Sequence, residues 1–208
     1  MEVIYVPWSK ALRMCYRLAE LVIDSGYDVE VIVTISRGGL IPARIVSDVL
    51  GVDEFYTIRS KFWGIGGRIA PEPIIKMYEG VEVRNKRVLL VDEVVDTGAT
   101  MTKVVRILQG LKAKEVRTAV LHYKLTSSLR PDYYVEEVRK WVWIFYPWSL
   151  SETLYELVRS SKGGTDANAL VKGALDLMNR LGVNDAPIDP KYLEKSLQLY
   201  IKHNTSAS

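Results

Sequence analysis

The stretch Val88-Leu89-Leu90-Val91-Asp92-Glu93-Val94-Val95-Asp96-Thr97-Gly98-Ala99-Thr100 decides the fold. Its four leading apolar residues read as a strand buried on both faces, the habit of a parallel sheet covered by helices. Two adjacent carboxylates close that strand, and an Asp, a Gly and two Thr open a helix. In open α/β sheets ligands bind outside the carboxyl ends of the strands. A helix N-terminus offers N–H groups and the positive end of its dipole to an anion. Thr97 and Thr100 add hydroxyl donors, Gly98 lets the backbone approach closely, and Asp92 and Glu93 can accept hydrogen bonds from sugar hydroxyls. An anion cradle beside a carboxylate pair suits a phosphosugar.

Outward from this segment, helix and strand signals alternate. Ser9 to Ser25 carries Leu12, Cys15, Tyr16, Ala19 and Val22 at a helical period, with Gly26 as a stop. Val29 to Ile35 and Glu54 to Ile58 read as strands. Leu40 to Leu50 reads as a helix with Pro42 in its first turn and Gly51 past its end. Lys61 to Pro73, rich in Gly and Pro, is a long loop of the functional kind. Arg87 to Val91, Val116 to Leu121 and Val142 to Phe145 are strands around a helix at Gly98 to Leu111. After Pro147 the composition shifts to three short helices. The first has a capping box at Ser149 to Glu152 and ends at Gly163-Gly164. The second runs from Asp166 to Leu181 and stops at Gly182; the third starts at Asp189-Pro190. The expectation is an α/β domain over 1–148 and a C-terminal helical extension over 149–208.

Composition narrows the function classes. The 208 residues are 48% hydrophobic and 25% charged, with a net charge of +3. That is ample for a core and too mild for a nucleic-acid footprint. The last sixty residues carry seven basic and seven acidic side chains, which argues against a nucleic-acid arm. The single cysteine, Cys15, excludes an internal disulfide framework and a multi-cysteine zinc site. His122 and His203 are isolated, without metal-ligand partners at useful spacing. No apolar run approaches a membrane span and no signal peptide is evident, so a soluble cytoplasmic protein is expected. An apolar run ending in Asp-Glu is also the Walker B pattern, but G-x-x-x-x-G-K-[ST] is absent. Gly64-Ile65-Gly66-Gly67 is not a dinucleotide fingerprint.

The quoted segment resembles the phosphoribosyl-pyrophosphate (PRPP) motif of type I phosphoribosyltransferases. The chain to about Ser149 resembles the purine branch, especially its short 6-oxopurine enzymes. The resemblance implies the type I phosphoribosyltransferase fold, a mostly parallel sheet flanked by helices. It implies that Asp92 and Glu93 hold the ribose hydroxyls and that Asp96 acts near purine N7 as general acid/base. Asp96, Thr97, Gly98, Ala99 and Thr100 would form the 5′-phosphate loop. Family members more often carry Asp-Asp or Glu-Asp where this chain has Asp-Glu, so the longer Glu93 would reach through water or Mg²⁺. Ser36-Arg37-Gly38-Gly39 matches the turn that binds pyrophosphate, often with a non-proline cis peptide. The Lys61–Pro73 loop stands where the family has a mobile lid that excludes water, with Lys61 and Arg68 as pyrophosphate contacts. Mg²⁺ would arrive with PRPP, on substrate oxygens and waters.

The base end follows the same resemblance. Aligned on Pro147-Trp148, Trp143 falls where an aromatic stacks on the purine, and the backbone of Ile144 or Phe145 can read its edge. Trp141 and Trp148 are expected in the core. Lys124 falls where the family places a Lys on the exocyclic O6; an ammonium donates and cannot accept, which taken alone favours a 6-oxopurine. The added helices pull the other way: the whole chain resembles an archaeal adenine phosphoribosyltransferase lineage built on a 6-oxopurine scaffold with a C-terminal three-helix bundle. The expectation is therefore transfer from PRPP to adenine, giving AMP and pyrophosphate. The alternative is a hypoxanthine, guanine or xanthine enzyme, and a further alternative is a PRPP-sensing regulator on the same fold. The family implies a homo-oligomer, a dimer being favoured, with no nucleic-acid or membrane partner.

Overall fold

The computed structural model describes residues 2–61, 63–64, 67–68, 72–77, 80–162, 167–183 and 189–205. In chain order the elements are β1 (Val3–Tyr5), α1 (Trp8–Asp24), β2 (Val31–Ser36), α2 (Leu40–Leu50), β3 (Phe55–Lys61), β4 (Trp63–Gly64), β5 (Gly67–Arg68), β6 (Ile74–Met77), β7 (Arg87–Val95), α3 (Ala99–Gly110), β8 (Glu115–Lys124), β9 (Tyr133–Val138), β10 (Trp143–Phe145), a 3₁₀ turn (Pro147–Ser149), α4 (Leu150–Lys162), α5 (Ala167–Leu181) and α6 (Pro190–Thr205). They fall into two compact units, Leu12–Gly64 with Arg68–Trp141, and Met1–Ala11 with Ile65–Gly67 and Val142–Ser208.

The larger unit is built on a six-stranded sheet in the order β6-β3-β2-β7-β8-β9. Every pairing is parallel except β3 with β6. Val88, Leu89, Leu90 and Val91 are fully buried, as a central strand flanked by parallel neighbours and helices requires. The strand does not end at Val91. The register Asp92↔Val120, Val94↔His122 and Val95↔Tyr123 carries β7 and β8 on together, because backbone pairing to a neighbour holds polar residues in strand form as readily as apolar ones. Gly51 closes α2 in the left-handed conformation, φ 65°, the usual role of a glycine after a helix.

Two expectations are corrected here. In α1 the buried residues are Ala11, Met14, Cys15, Leu18, Ala19 and Val22, while Leu12 and Tyr16 are exposed; the apolar stripe is rotated by about one position. The region 61–73 is not wholly irregular, since β3 runs to Lys61 and β4 and β5 are short strands. Residues 62, 65–66 and 69–71 of that loop lie outside the described residues. Strand β9 was not anticipated at all.

In the smaller unit β1 and β10 pair in parallel, Val3↔Trp143 through Tyr5↔Phe145. Phe145 sits in one core with Leu154, Tyr155, Val158, Leu170, Ala174, Leu193 and Leu197, against which Val3 and Tyr5 pack. Asp189 caps α6 as expected, its carboxylate accepting from the Lys191 N–H at 2.9 Å, with Pro190 opening the helix. The Ser149 hydroxyl contacts Tyr146 O and Thr153 Oγ1. The predicted helix boundaries at Gly163-Gly164 and Asp166 lie outside the described residues.

Candidate active site

The larger unit brings three predicted segments to the carboxyl ends of adjacent strands: Ser36–Gly39 after β2, Asp92–Thr100 across the end of β7, and Lys124 at the end of β8. This is where the sheet topology places a ligand.

Successive residues of a strand project to opposite faces, so Asp92 and Glu93 diverge. Asp92 Oδ1 accepts the Glu93 N–H at 2.8 Å. Burial, and then the charge of Glu93, push the Asp92 carboxyl well above the usual carboxylate range. Glu93 lies against the neighbouring loop: a Cβ built on Gly38 would fall 2.5 Å from Glu93 Oε1. Glycine at 38 is thus what lets the Ser36–Gly39 turn close on the carboxylate. A Cβ on Gly39 would meet backbone instead, 2.8 Å from both Ile35 O and Val91 O. The Ser36–Arg37 peptide bond is cis, Ser36 Oγ donates to Ile58 O at 3.3 Å, and Arg37 is exposed.

Gly98 has φ 83° and caps α3 without a side chain. Its neighbours fix the preceding loop from behind. The Ser128 N–H and hydroxyl both donate to Thr97 O, at 3.1 and 3.0 Å. A Cβ on Gly98 would meet Ser127 Oγ at 2.7 Å and Leu129 N at 2.9 Å. The first turn of α3 after Gly98 holds Ala99 and Thr100, and the N–H groups of a helix's first turn have no intrahelical acceptor. Thr97 Oγ1 accepts from the Ala99 N–H at 3.4 Å. The segment 96–100 is therefore a braced loop leading into a helix N-terminus.

Lys124 is buried, and its Nζ donates to Asp96 Oδ2 at 2.9 Å. It also lies 4.9 Å from the ring centroid of Trp141. Trp141, expected in the core, is 45% exposed. Nothing in the aromatic-rich composition of 141–148 separates it from its neighbours; its position three residues beyond β9, whose last pairing is Lys124↔Val138, is what sets it beside the ammonium.

Other predicted residues stand as follows. Lys61 and Arg68 belong to β3 and β5, and their side chains lie outside the described residues. Trp143, Ile144 and Phe145 form β10 in the smaller unit. Trp143 and Ile144 are partly buried. Phe145 is a core residue edge-on to Tyr5 at 5.1 Å, and its carbonyl accepts from the Val6 N–H at 2.9 Å, leaving one lone pair. Trp148 stacks on buried Tyr146 with centroids 5.0 Å apart and meets Trp8 edge-on. Cys15 is buried and its thiol is pushed up to about 12, chiefly by burial, so it is inert at neutral pH. His122 is buried with Nε2 3.4 Å from Glu136 Oε2. Among the described residues no group of three or more His, Cys, Asp or Glu could hold a metal ion. None of their helices is long and apolar enough to cross a membrane.

Residues 4–153 match the model of the phosphoribosyl transferase domain family. Among curated proteins the chain is similar to a xanthine-guanine phosphoribosyltransferase of Cereibacter sphaeroides, 30% identical over 71% of this chain and 87% of that protein. It is also similar to one of Nitratidesulfovibrio vulgaris, 28% identical over 74% and 88% respectively. Among solved structures it is similar to a purine phosphoribosyltransferase from Pyrococcus horikoshii, 36% identical, with a TM-score of 0.62 over 71% of this chain and 94% of that one.

Proposed function

The chain belongs to the phosphoribosyl transferase domain family, and from that premise we propose a 6-oxopurine substrate and a role for each residue of the site. The protein is a purine phosphoribosyltransferase, taking PRPP and a purine base and releasing pyrophosphate. The relatives named for xanthine and guanine favour the oxopurine alternative over the adenine preference expected from the whole chain.

The observation that carries the oxopurine reading is the Lys124 ammonium on Asp96, 2.9 Å from Oδ2. A purine whose N7 lies at Asp96 presents its six-position substituent towards Lys124. A carbonyl oxygen there can accept from the ammonium, whereas an amino group offers it nothing to bind. Adenine remains as the second reading, on a specific ground: the Lys124 side chain is only 6% exposed and already engaged, and α4–α6 lie almost wholly outside the matched residues 4–153.

In the proposed reaction, positive charge builds at C1′ of the ribose as pyrophosphate departs. Arg37 and the amides of the Ser36–Gly39 turn stabilise the departing anion. The first turn of α3, with Thr97 and Thr100, anchors the 5′-phosphate. Asp92 takes ribose hydroxyls, and Asp96 holds and moves the purine proton so that N9 attacks. A carboxylate oxygen of Asp92 or of Glu93, without a protein cage, fits a Mg²⁺ that retains waters and substrate oxygens. Bound there, it would neutralise pyrophosphate charge. Lys61 and Arg68 would contact pyrophosphate, and the protein would act as a homodimer in the cytoplasm.

The deciding experiment measures nucleotide formation from PRPP with hypoxanthine, guanine, xanthine and adenine in turn. The oxopurine reading expects a higher kcat/KM for at least one oxopurine than for adenine. A preference for adenine replaces it with the second reading, and turnover of none would remove both.

A further inference from the structure

We propose that Trp141 is a positioning residue: its indole face holds the Lys124 ammonium on the Asp96 carboxylate, so that base recognition and proton handling at the purine share one aromatic support. The inference rests on the reading of Asp96 and Lys124 given above and extends it to a side chain with no assigned role.

A lysine ammonium carries three donors on a flexible four-carbon stem. One contact to a carboxylate fixes a distance and leaves the direction of the other two donors open. Here Asp96 Oδ2 lies 2.9 Å from Nζ, and the Trp141 ring centroid lies 4.9 Å from the same atom. The face of an indole is electron-rich and attracts a cation, most strongly once the cation has left water. Lys124 meets that condition, with 6% of its side chain exposed. Carboxylate and ring together define a direction, and the remaining donor is aimed by both. The chain path explains how the contact arises. Lys124↔Val138 is the terminal pair of β8 and β9, so the residues leaving β9 pass beside Lys124. Trp141 is the third of them, and 45% of it stays exposed. A ring serving only as core filler would be covered; this one spends its face on a buried cation.

The test compares wild type, Trp141→Leu and Trp141→Phe, each assayed with whichever purine the wild type uses best. Without the aromatic face, Trp141→Leu should raise the purine KM roughly five- to tenfold, the scale of a desolvated cation–π contact. PRPP affinity by calorimetry should stay within about twofold, because the Trp141 face meets Lys124 rather than a group proposed to bind phosphate. Trp141→Phe restores a face and should return the purine KM to within about threefold of wild type. In a Lys124→Met background, Trp141→Leu should add nothing. Should Trp141→Leu fail to fold, Trp141→Met serves in its place. Wild-type kinetics in the leucine or methionine variant, a phenylalanine variant as impaired as leucine, or parallel loss of PRPP binding would each overturn the proposal. A wild-type preference for adenine would instead fall on the oxopurine reading alone, since the Trp141 comparison runs with any purine.

Discussion

Asp92 and Asp96 are four residues apart on one strand end, yet their surroundings set them to different work. Asp96 has a cation 2.9 Å away, and in the proposed reaction it holds and returns the purine proton. Replacing Asp96 with Asn keeps the shape and removes the proton acceptor. Turnover should fall roughly 10²–10⁴-fold, the usual worth of a general acid/base, while PRPP affinity measured by calorimetry barely changes; near-normal turnover would strip Asp96 of that role. Asp92 is held above its ordinary range by burial and by Glu93. Its folded form therefore binds a proton that the unfolded chain has already released, and stability drops as pH rises through the folded value. Below the unfolded carboxylate range the penalty vanishes. Asp92→Asn cannot ionise, so its melting temperature should exceed that of wild type by a margin that widens as pH rises from about 4. Thermal melts as a function of pH check it, and a gap independent of pH would contradict the assignment. The same substitution should weaken PRPP binding, so stability and function are opposed at this carboxylate.

The loops at the strand ends depend on glycines for two separable reasons. At Gly98 the backbone is left-handed, φ 83°, and an added Cβ would strike Leu129 N at 2.9 Å. Neither problem can be relieved by rotating a side chain, so Gly98→Ala should cost about 1–3 kcal/mol in urea denaturation. At Gly38 the obstacle is the end of the Glu93 side chain, which can swing away. Gly38→Ala should leave stability within about 0.5 kcal/mol and raise the KM for PRPP by displacing Glu93. Equal destabilisation by both alanines would refute this division. The same contrast explains what could be read from the sequence. Local devices were legible: Gly51 ending α2, Asp189 capping α6 and the apolar run Val88–Val91 each follow from a residue's own backbone preference or from burial on two faces. Elements made by distant partners were not. The three-residue β1 exists only because it pairs with β10 across most of the chain, and β9 shows no apolar alternation of its own, being Tyr-Tyr-Val-Glu-Glu-Val. Trp141 was assigned to the core because a cluster of aromatic residues looks the same whether its faces meet aliphatic carbon or an ammonium.

At the scale of the molecule, the two compact units give the C-terminal helices a larger part than an appendage has. Val3, Tyr5 and Phe145 pack on the same core as Leu154, Tyr155, Leu170, Leu193 and Leu197. Residues from both ends of the chain thus depend on α4–α6 for their burial, and the strand carrying Trp143 is one of only two in that sheet. An isolated two-stranded pair is marginal in water; here it packs on α4–α6, helices almost wholly outside the residues 4–153 that match the family model. Ending the chain after Ser149 would leave Phe145 and Tyr5 without those partners. The truncated protein should lose the cooperative melt of the smaller unit and expose its apolar face. Circular dichroism would follow the first, and increased binding of a hydrophobic dye the second. By contrast, Val88–Val91 and the loops after β2 and β7 draw their support from within Leu12–Trp141. Calorimetric uptake of PRPP should accordingly decline less than the melting signal of the smaller unit. A truncated chain that melts as cooperatively as the full one and turns over purines at the same rate would show that α4–α6 contribute nothing to that strand pair.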